Sequence, residues 1–141
     1  MSICLRQALV LVSVTLFVGC QKSLPTAPGE LASGIVIFEH ANYLGASAHV
    51  TDDIKNLEDV KGPCIKLESA GSTTTSKDVW GDCISSIRVA PGWRATIYRD
   101  DGYSGDRLDV TADVPNLQLV AGDCSKGGFN DCISSIRLIR P

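Results

Sequence analysis

The sequence predicts an all-β domain: a disulfide-stabilised sandwich of two Greek-key motifs. Three observations point there. The chain repeats itself, its apolar residues fall into short β-branched and aromatic runs between turn residues, and cysteines recur at repeated positions.

The repeat comes first because it orders everything else. At an offset of sixty, Phe38 falls on Tyr98, Tyr43 on Tyr103, Gly45 on Gly105, Asp53 on Asp113, Asn56-Leu57 on Asn116-Leu117, and Cys64 on Cys124. The offset then drops to forty-nine, where Asp-Cys-Ile-Ser-Ser-Ile-Arg occurs at both 82–88 and 131–137. Two units result, 35–90 and 91–141. The eleven-residue difference lies between Cys64 and Cys83, in "LESAGSTTTSKDVWG", and reads as an inserted surface loop.

Within each unit the strands follow in order. "IVIFEH" and "RATIYRD" open the two units, "SAHVT" and "RLDVT" follow a glycine-bearing turn, and "CISSIRV" and "CISSIRL" close them. "DDIKNLEDV" could form one helical turn, but its counterpart "ADVPNLQLV" carries Pro115, which argues against a longer helix.

The ends are read differently. Residues 1–19 resemble a signal peptide, with Arg6 before an apolar run from Ala8 to Gly19. That run is shorter than the ~18 residues needed to span a bilayer. "LFVGC" then resembles the lipobox of bacterial lipoproteins, with Phe17 departing from the usual aliphatic residue. The resemblance implies lipidation at Cys20, export, and anchoring on a bacterial envelope. Gln21 in place of Asp points to the outer membrane. Residues 20–34, with two prolines and two glycines, read as a tether.

Of six cysteines, Cys4 leaves with the signal and Cys20 is the lipid candidate. Cys64, Cys83, Cys124 and Cys132 remain, an even set in an exported chain, implying two disulfides. Bridges within each repeat are the simplest symmetric choice; Cys64–Cys132 with Cys83–Cys124 also respects the duplication. Without Arg6, twelve Lys and Arg stand against sixteen Asp and Glu, a net charge of −4. No basic patch with interleaved aromatics is present, which excludes nucleic acid as the expected partner. A monomer is expected.

Each unit also has an aromatic residue, six intervening residues and a glycine (Phe38 to Gly45, Tyr98 to Gly105). Each ends in a segment near Asn/Asp, Asn/Asp, two variable residues, Ser/Thr, Ser. Taken twice and in order, this resembles the βγ-crystallin family over essentially all of 35–141. In calcium-binding members that segment lines a cation site, shared crosswise with the early hairpin of the partner motif. The resemblance therefore implies a calcium-binding module with two sites. From motif two it implies Asn130, Asp131, the Cys132 carbonyl, Ser134 and Ser135. From motif one it implies Gly81, Asp82, the Cys83 carbonyl, Ser85 and Ser86. Hairpin contributors would be Glu39, Arg99 through its carbonyl, or Asp100. Gly81 departs from the pattern, so the Asp82/Ser85 site is expected to be the weaker and Asp131/Ser134 the tighter. Restoring an acid at 81 is expected to strengthen the weaker one.

Other chemistry is poorly supported. "DDGYSGD" lacks the Glu and flanking helices of an EF-hand. His40 and His49 lack metal-ligand spacing, and no carboxylate pair stands out for hydrolysis. No enzyme is expected. Two other functions remain open: a protein-binding inhibitor or toxin using the 65–82 loop, and an envelope-carbohydrate binder using Trp80 and Trp93.

Overall fold

Alternation of apolar residues builds two matching sheets. The computed structural model describes residues 31–124 and 127–141. The signal segment, Cys20 and the tether up to residue 30 lie outside the described residues. In β1 (Ile35–His40), Ile35 and Ile37 are fully buried, and β2 (Leu44–Val50) returns antiparallel beside it. Between Cys64 and Trp80 run β3 (Lys61–Ala70) and β4 (Thr73–Val79), followed by β5 (Ser86–Val89). The second unit repeats the plan with β6 (Arg94–Asp100), β7 (Ser104–Val110) and β8 (Ser135–Ile139). The strand orders are β2-β1-β5, β7-β6-β8 and β3-β4.

The two units interlock. Ile54 of the first unit bridges to Ile136 on β8, and Val114 of the second bridges to Ile87 on β5. Asp53 and Asp113 extend these bridges by accepting from Leu138 N and Val89 N, each at 2.8 Å. Each sheet is thus completed by a segment from the other repeat. Between them lies one core of Ile35, Ile37, Leu57, Ile84, Ile87, Ile97, Leu117, Ile133 and Ile136, with Trp80 and Phe129 packed against it.

The short helical turn anticipated at 52–60 is a single 3-10 turn, Leu57–Asp59, matched by Leu117–Leu119. Asn56 and Asn116 cap them, each side chain accepting from the second N–H of the turn at 2.9 Å. Pro115 precedes the second turn and is accommodated outside it.

One expectation is corrected. The insert is not a loop: it pairs Ile65 with Asp78 through Ala70 with Thr73, and the β-branched Thr73–Thr75 run favours that extended state. Gly71, at φ +64°, supplies the left-handed turn residue. At the edge of the first sheet Gly34 is buried and its carbonyl accepts from Ala90 N at 3.0 Å.

Both disulfides lie within a repeat. Cys64 bonds Cys83 and Cys124 bonds Cys132, with Cα separations of 5.9 and 6.1 Å. Trp80 is only 3 % exposed and belongs to the core, which removes it from any sugar-binding face.

Candidate functional site

The repeated heptapeptide divides its seven residues among several tasks. Its Asp sits in left-handed backbone, with φ +55° at Asp82 and +52° at Asp131. For a non-glycine residue that conformation carries a cost, and Asp is among the few side chains that tolerate it. The Cys bonds within its own repeat. Both Ile residues are fully buried, at 84, 87, 133 and 136. The Arg lies over the hairpin tyrosine, Arg88 at 4.5 Å from Tyr43 and Arg137 at 4.2 Å from Tyr103.

The two serines divide the remaining work. The second one locks the hairpin. Ser86 Oγ donates to His40 O at 2.7 Å and accepts from Tyr43 N; Ser135 Oγ does the same with Asp100 O and Tyr103 N. Both are fully buried, so they shape the hairpin backbone from inside.

The first serine faces across to the other repeat. Ser85 Oγ donates to Asp131 Oδ1 at 3.1 Å, and Ser134 Oγ donates to Asp82 Oδ1 at 3.5 Å. Backbone bonds fix the crossing: Asp131 N donates to Ile84 O and Asp82 N to Ile133 O, both at 3.1 Å. These hydrogen bonds join Asp and Ser across the repeats, whereas the sequence grouped them within one segment. Each cleft takes its Asp from one repeat and its Ser from the other, because the antiparallel contact at 82–84 and 131–133 turns each Asp toward the opposite motif.

The hairpins then complete the clefts. Ser85 N donates to Phe38 O, bringing Glu39 and the end of β1 toward the Asp131–Ser85 cleft; Ser134 N donates to Tyr98 O, bringing Arg99 and Asp100 toward the Asp82–Ser134 cleft, both at 2.9 Å. Glu39 Oε2 accepts from Ala46 N at 3.1 Å. Its counterpart Arg99 instead clasps Asp100, with Nε at 3.1 Å from Oδ1. That hydrogen bond, with the carboxylate charges around it, raises the Arg99 guanidinium further above its ordinary range.

The Asp82–Ser134 side opens into a cavity of about 380 Å³ lined by Asn56, Glu58, Asp100, Asp101 and Ser134. Glu58 was missed at the sequence level. It occupies the Gln118 position of the first repeat and forms an ion pair with Lys66 of the insert. It also explains Gly81. A Cβ at 81 would stand 2.8 Å from Glu58 Cγ and 3.3 Å from Glu58 N. Gly81 is therefore a packing requirement of this repeat as well as a lost polar side chain. The cue was present in the sequence: Gly81 for Asn130 and Glu58 for Gln118 are paired departures.

Among the described residues no group of three or more His, Cys, Asp or Glu is arranged to hold a metal ion. The donors gathered in each cleft are mixed: a carboxylate, a hydroxyl and the backbone around them. Asn130 and the chain at Cys132 and Cys83 flank the crossed pair by sequence.

No family model matches the chain. Development-specific protein S of Myxococcus xanthus is 33% identical over 85 residues, which span 58% of this chain and 44% of that protein. This chain thus matches less than half the length of that relative. Spherulin-3A of Physarum polycephalum is 28% identical over 111 residues, covering 77% of this chain and 84% of it. Among solved structures, a βγ-crystallin domain from Flavobacterium johnsoniae is 29% identical with a TM-score of 0.52, covering 75% of this chain and 93% of that one. A structure described as the evolution of the eye-lens βγ-crystallin domain fold aligns with a TM-score of 0.57 at 24% identity, covering 82% and 94%, and shares the fold.

Proposed function

We propose that this chain, whose fold is that of βγ-crystallin domains, is a non-enzymatic calcium-binding module in which the ion cross-links the two repeats. The observation that carries this reading is the crossed Asp–Ser pair. Oxygens 3.1 Å apart in Ser85 and Asp131 have the spacing of neighbouring ligands on an ion with bonds of about 2.3–2.6 Å. Calcium is the fitting ion class, since it accepts carboxylate, hydroxyl, carbonyl and water oxygens in loose geometry. Zinc sites favour nitrogen or sulfur donors, and Cys64, Cys83, Cys124 and Cys132 are already bonded in pairs.

Residues of this chain assume distinct roles. Asp131 and Ser85, with Glu39 and the Cys132 carbonyl, would hold one ion; Asn130 organises that loop. Asp82 and Ser134, with Asp100, the Arg99 carbonyl and the Cys83 carbonyl, would hold the other. Bound calcium supplies a positive charge where each Asp otherwise leans on a hydroxyl. Because every such contact joins one repeat to the other, binding favours the folded state over the unfolded chain. At a hundredfold excess over Kd the stabilisation is about 2.7 kcal/mol, a rise in Tm on the order of 10 °C.

Calorimetric calcium titration together with thermal unfolding tests the proposal. Heat of binding and an upward Tm shift are expected in millimolar calcium. Neither heat nor shift would leave the crossed pairs as purely structural contacts. We also propose export and anchoring through a lipid at Cys20, on the outer membrane, on the grounds of the "LFVGC" segment. Detergent partition and acyl labelling of protein made with its own leader check this; unmodified soluble protein would exclude it.

A further inference from the structure

The inserted hairpin offers an unpaired sheet edge with a self-complementary sequence. β3 and β4 form a sheet of two strands, and β3 has no second strand neighbour among the described residues. Ile65 and Leu67, two residues apart and therefore on one face, are 70% and 68% exposed. Gly71 and Ser72 form a two-residue turn closed by Ala70 and Thr73. In such a hairpin the closing pair exchanges backbone hydrogen bonds, and alternate residues do so after it. Counting back from Ala70 directs Glu68 and Lys66 toward β4. The N–H and C=O of Ser69, Leu67 and Ile65 therefore face the open edge.

We propose that β3 pairs antiparallel with β3 of a second copy of this chain, about a two-fold axis through Leu67. In that register Leu67 meets Leu67 and Ile65 meets Ser69 as hydrogen-bonded pairs. Lys66 meets the partner's Glu68, and Glu68 the partner's Lys66, in the closer non-hydrogen-bonded positions. Both charge pairs are opposite in sign. The competing registers are worse. Centring on Lys66 or Glu68 keeps the same outward backbone groups but sets a like charge against itself. Centring on Ile65 puts Pro63, which has no N–H, opposite Leu67. Centring on Ser69 leaves neither charge matched. The edge thus selects one register from its own residues.

The dimer is a four-stranded sheet, β4-β3-β3-β4. It replaces two exposed edges by one ladder and sets Leu67 against Leu67 on the open face. Lys66 then lies between Glu58 of its own chain and Glu68 of the other. One pair of short strands is a small interface, below ~1,200 Å², so association is concentration-dependent. The proposal departs from the expected monomer and does not depend on calcium.

Sedimentation equilibrium of the protein as expressed, from micromolar to millimolar, should show a monomer–dimer equilibrium. Glu68→Lys and Lys66→Glu should each weaken it about tenfold or more, since each sets like charges together at both symmetry-related positions. A one-to-one mixture of the two variants should dimerise again, because a chain with two Lys then faces a chain with two Glu. Circular dichroism confirms that each variant is folded. A wild-type protein that stays monomeric to millimolar concentration overturns the proposal, and so does a dimer indifferent to both substitutions. Failure of the mixture to recover association overturns the register.

Discussion

In the Asp131–Ser85 cleft the hairpin contributes Glu39, which has no Lys or Arg at ion-pair range among the described residues and has the His40 imidazole 4.0 Å away. In the Asp82–Ser134 cleft the same position is Arg99, which already grips Asp100, and Lys66 reaches Glu58 beside it. The backbones are near copies: φ differs by only a few degrees between Asp82 and Asp131. The crossed Asp–Ser distances, 3.1 and 3.5 Å, also follow one plan. A duplicated motif has thus kept its backbone while its charges diverged. One cleft keeps its hairpin acid apart from Lys and Arg among the described residues, and the other carries two cations of its own, Arg99 and Lys66. The difference in calcium affinity should come from these resident charges as much as from Gly81.

The largest effect that separates the repeats lies in the cross-links. In the chain-entropy account, bridges of separation 19 and 8 are worth about 3 and about 2.5 kcal/mol. Replacing Cys64 and Cys83 together by Ala should lower stability in urea by about 3 kcal/mol and slightly exceed the Cys124/Cys132 replacement. Cys83 is 1% exposed, which adds core loss to the first pair. Equal losses, or a larger loss from the second pair, would mean that the insert hairpin constrains the 64–83 loop without its bridge.

The crossing itself comes next. Asp131→Ala should lower calcium affinity at the tighter event about 30-fold, or ~2 kcal/mol. Ser85→Ala should weaken the same event, while Ser134→Ala should act on the other. In a double-mutant cycle, Asp131 and Ser85 should couple and Asp131 and Ser134 should add. Additivity of the first pair would return the assignment to ligands within one segment.

How much of this could be read from the chain alone divides along physical lines. The duplication and the strand identities were legible, because alternation and identity at fixed offset are local signals. The crossing of Asp and Ser was not. It depends on Asp131 N reaching Ile84 O, a contact made only when the two repeats face each other. Glu58 was likewise hidden, since its importance lies in a 2.8 Å approach to position 81 and not in any motif. The insert was misread because its Ser, Thr and Gly content suits a loop, whereas Thr73–Thr75 and Gly71 together specify a hairpin.

Position 81 therefore yields a different expectation from the one its motif suggests. Gly81→Asp places a Cβ into Glu58 and should destabilise the domain by about 1–3 kcal/mol. It should bring no gain in calcium affinity on its own. Adding Glu58→Ala should recover part of that stability by vacating the space. Urea unfolding of the single and double variants checks this, and a Gly81→Asp protein of wild-type stability would show that Glu58 moves aside freely.

The smallest effect is the most informative about the two clefts. Arg99 contributes to the Asp82–Ser134 side in two opposed ways: its carbonyl is a candidate ligand, and its guanidinium occupies Asp100 at 3.1 Å. Arg99→Gln keeps the carbonyl and removes the cation. Calcium affinity at the weaker event should then rise about two- to fivefold, the modest scale of an exposed pair, with the tighter event unchanged. The guanidinium pKa is raised, so its charge is present below its unfolded value and would be lost only on deprotonation in strong alkali. The gain should accordingly be the same at pH 6 and pH 8, and it should shrink as salt screens the pair. If Arg99→Gln instead weakened binding, the guanidinium would be holding Asp100 in a productive position, and the asymmetry of the clefts would have to rest on Gly81 and Glu58 alone.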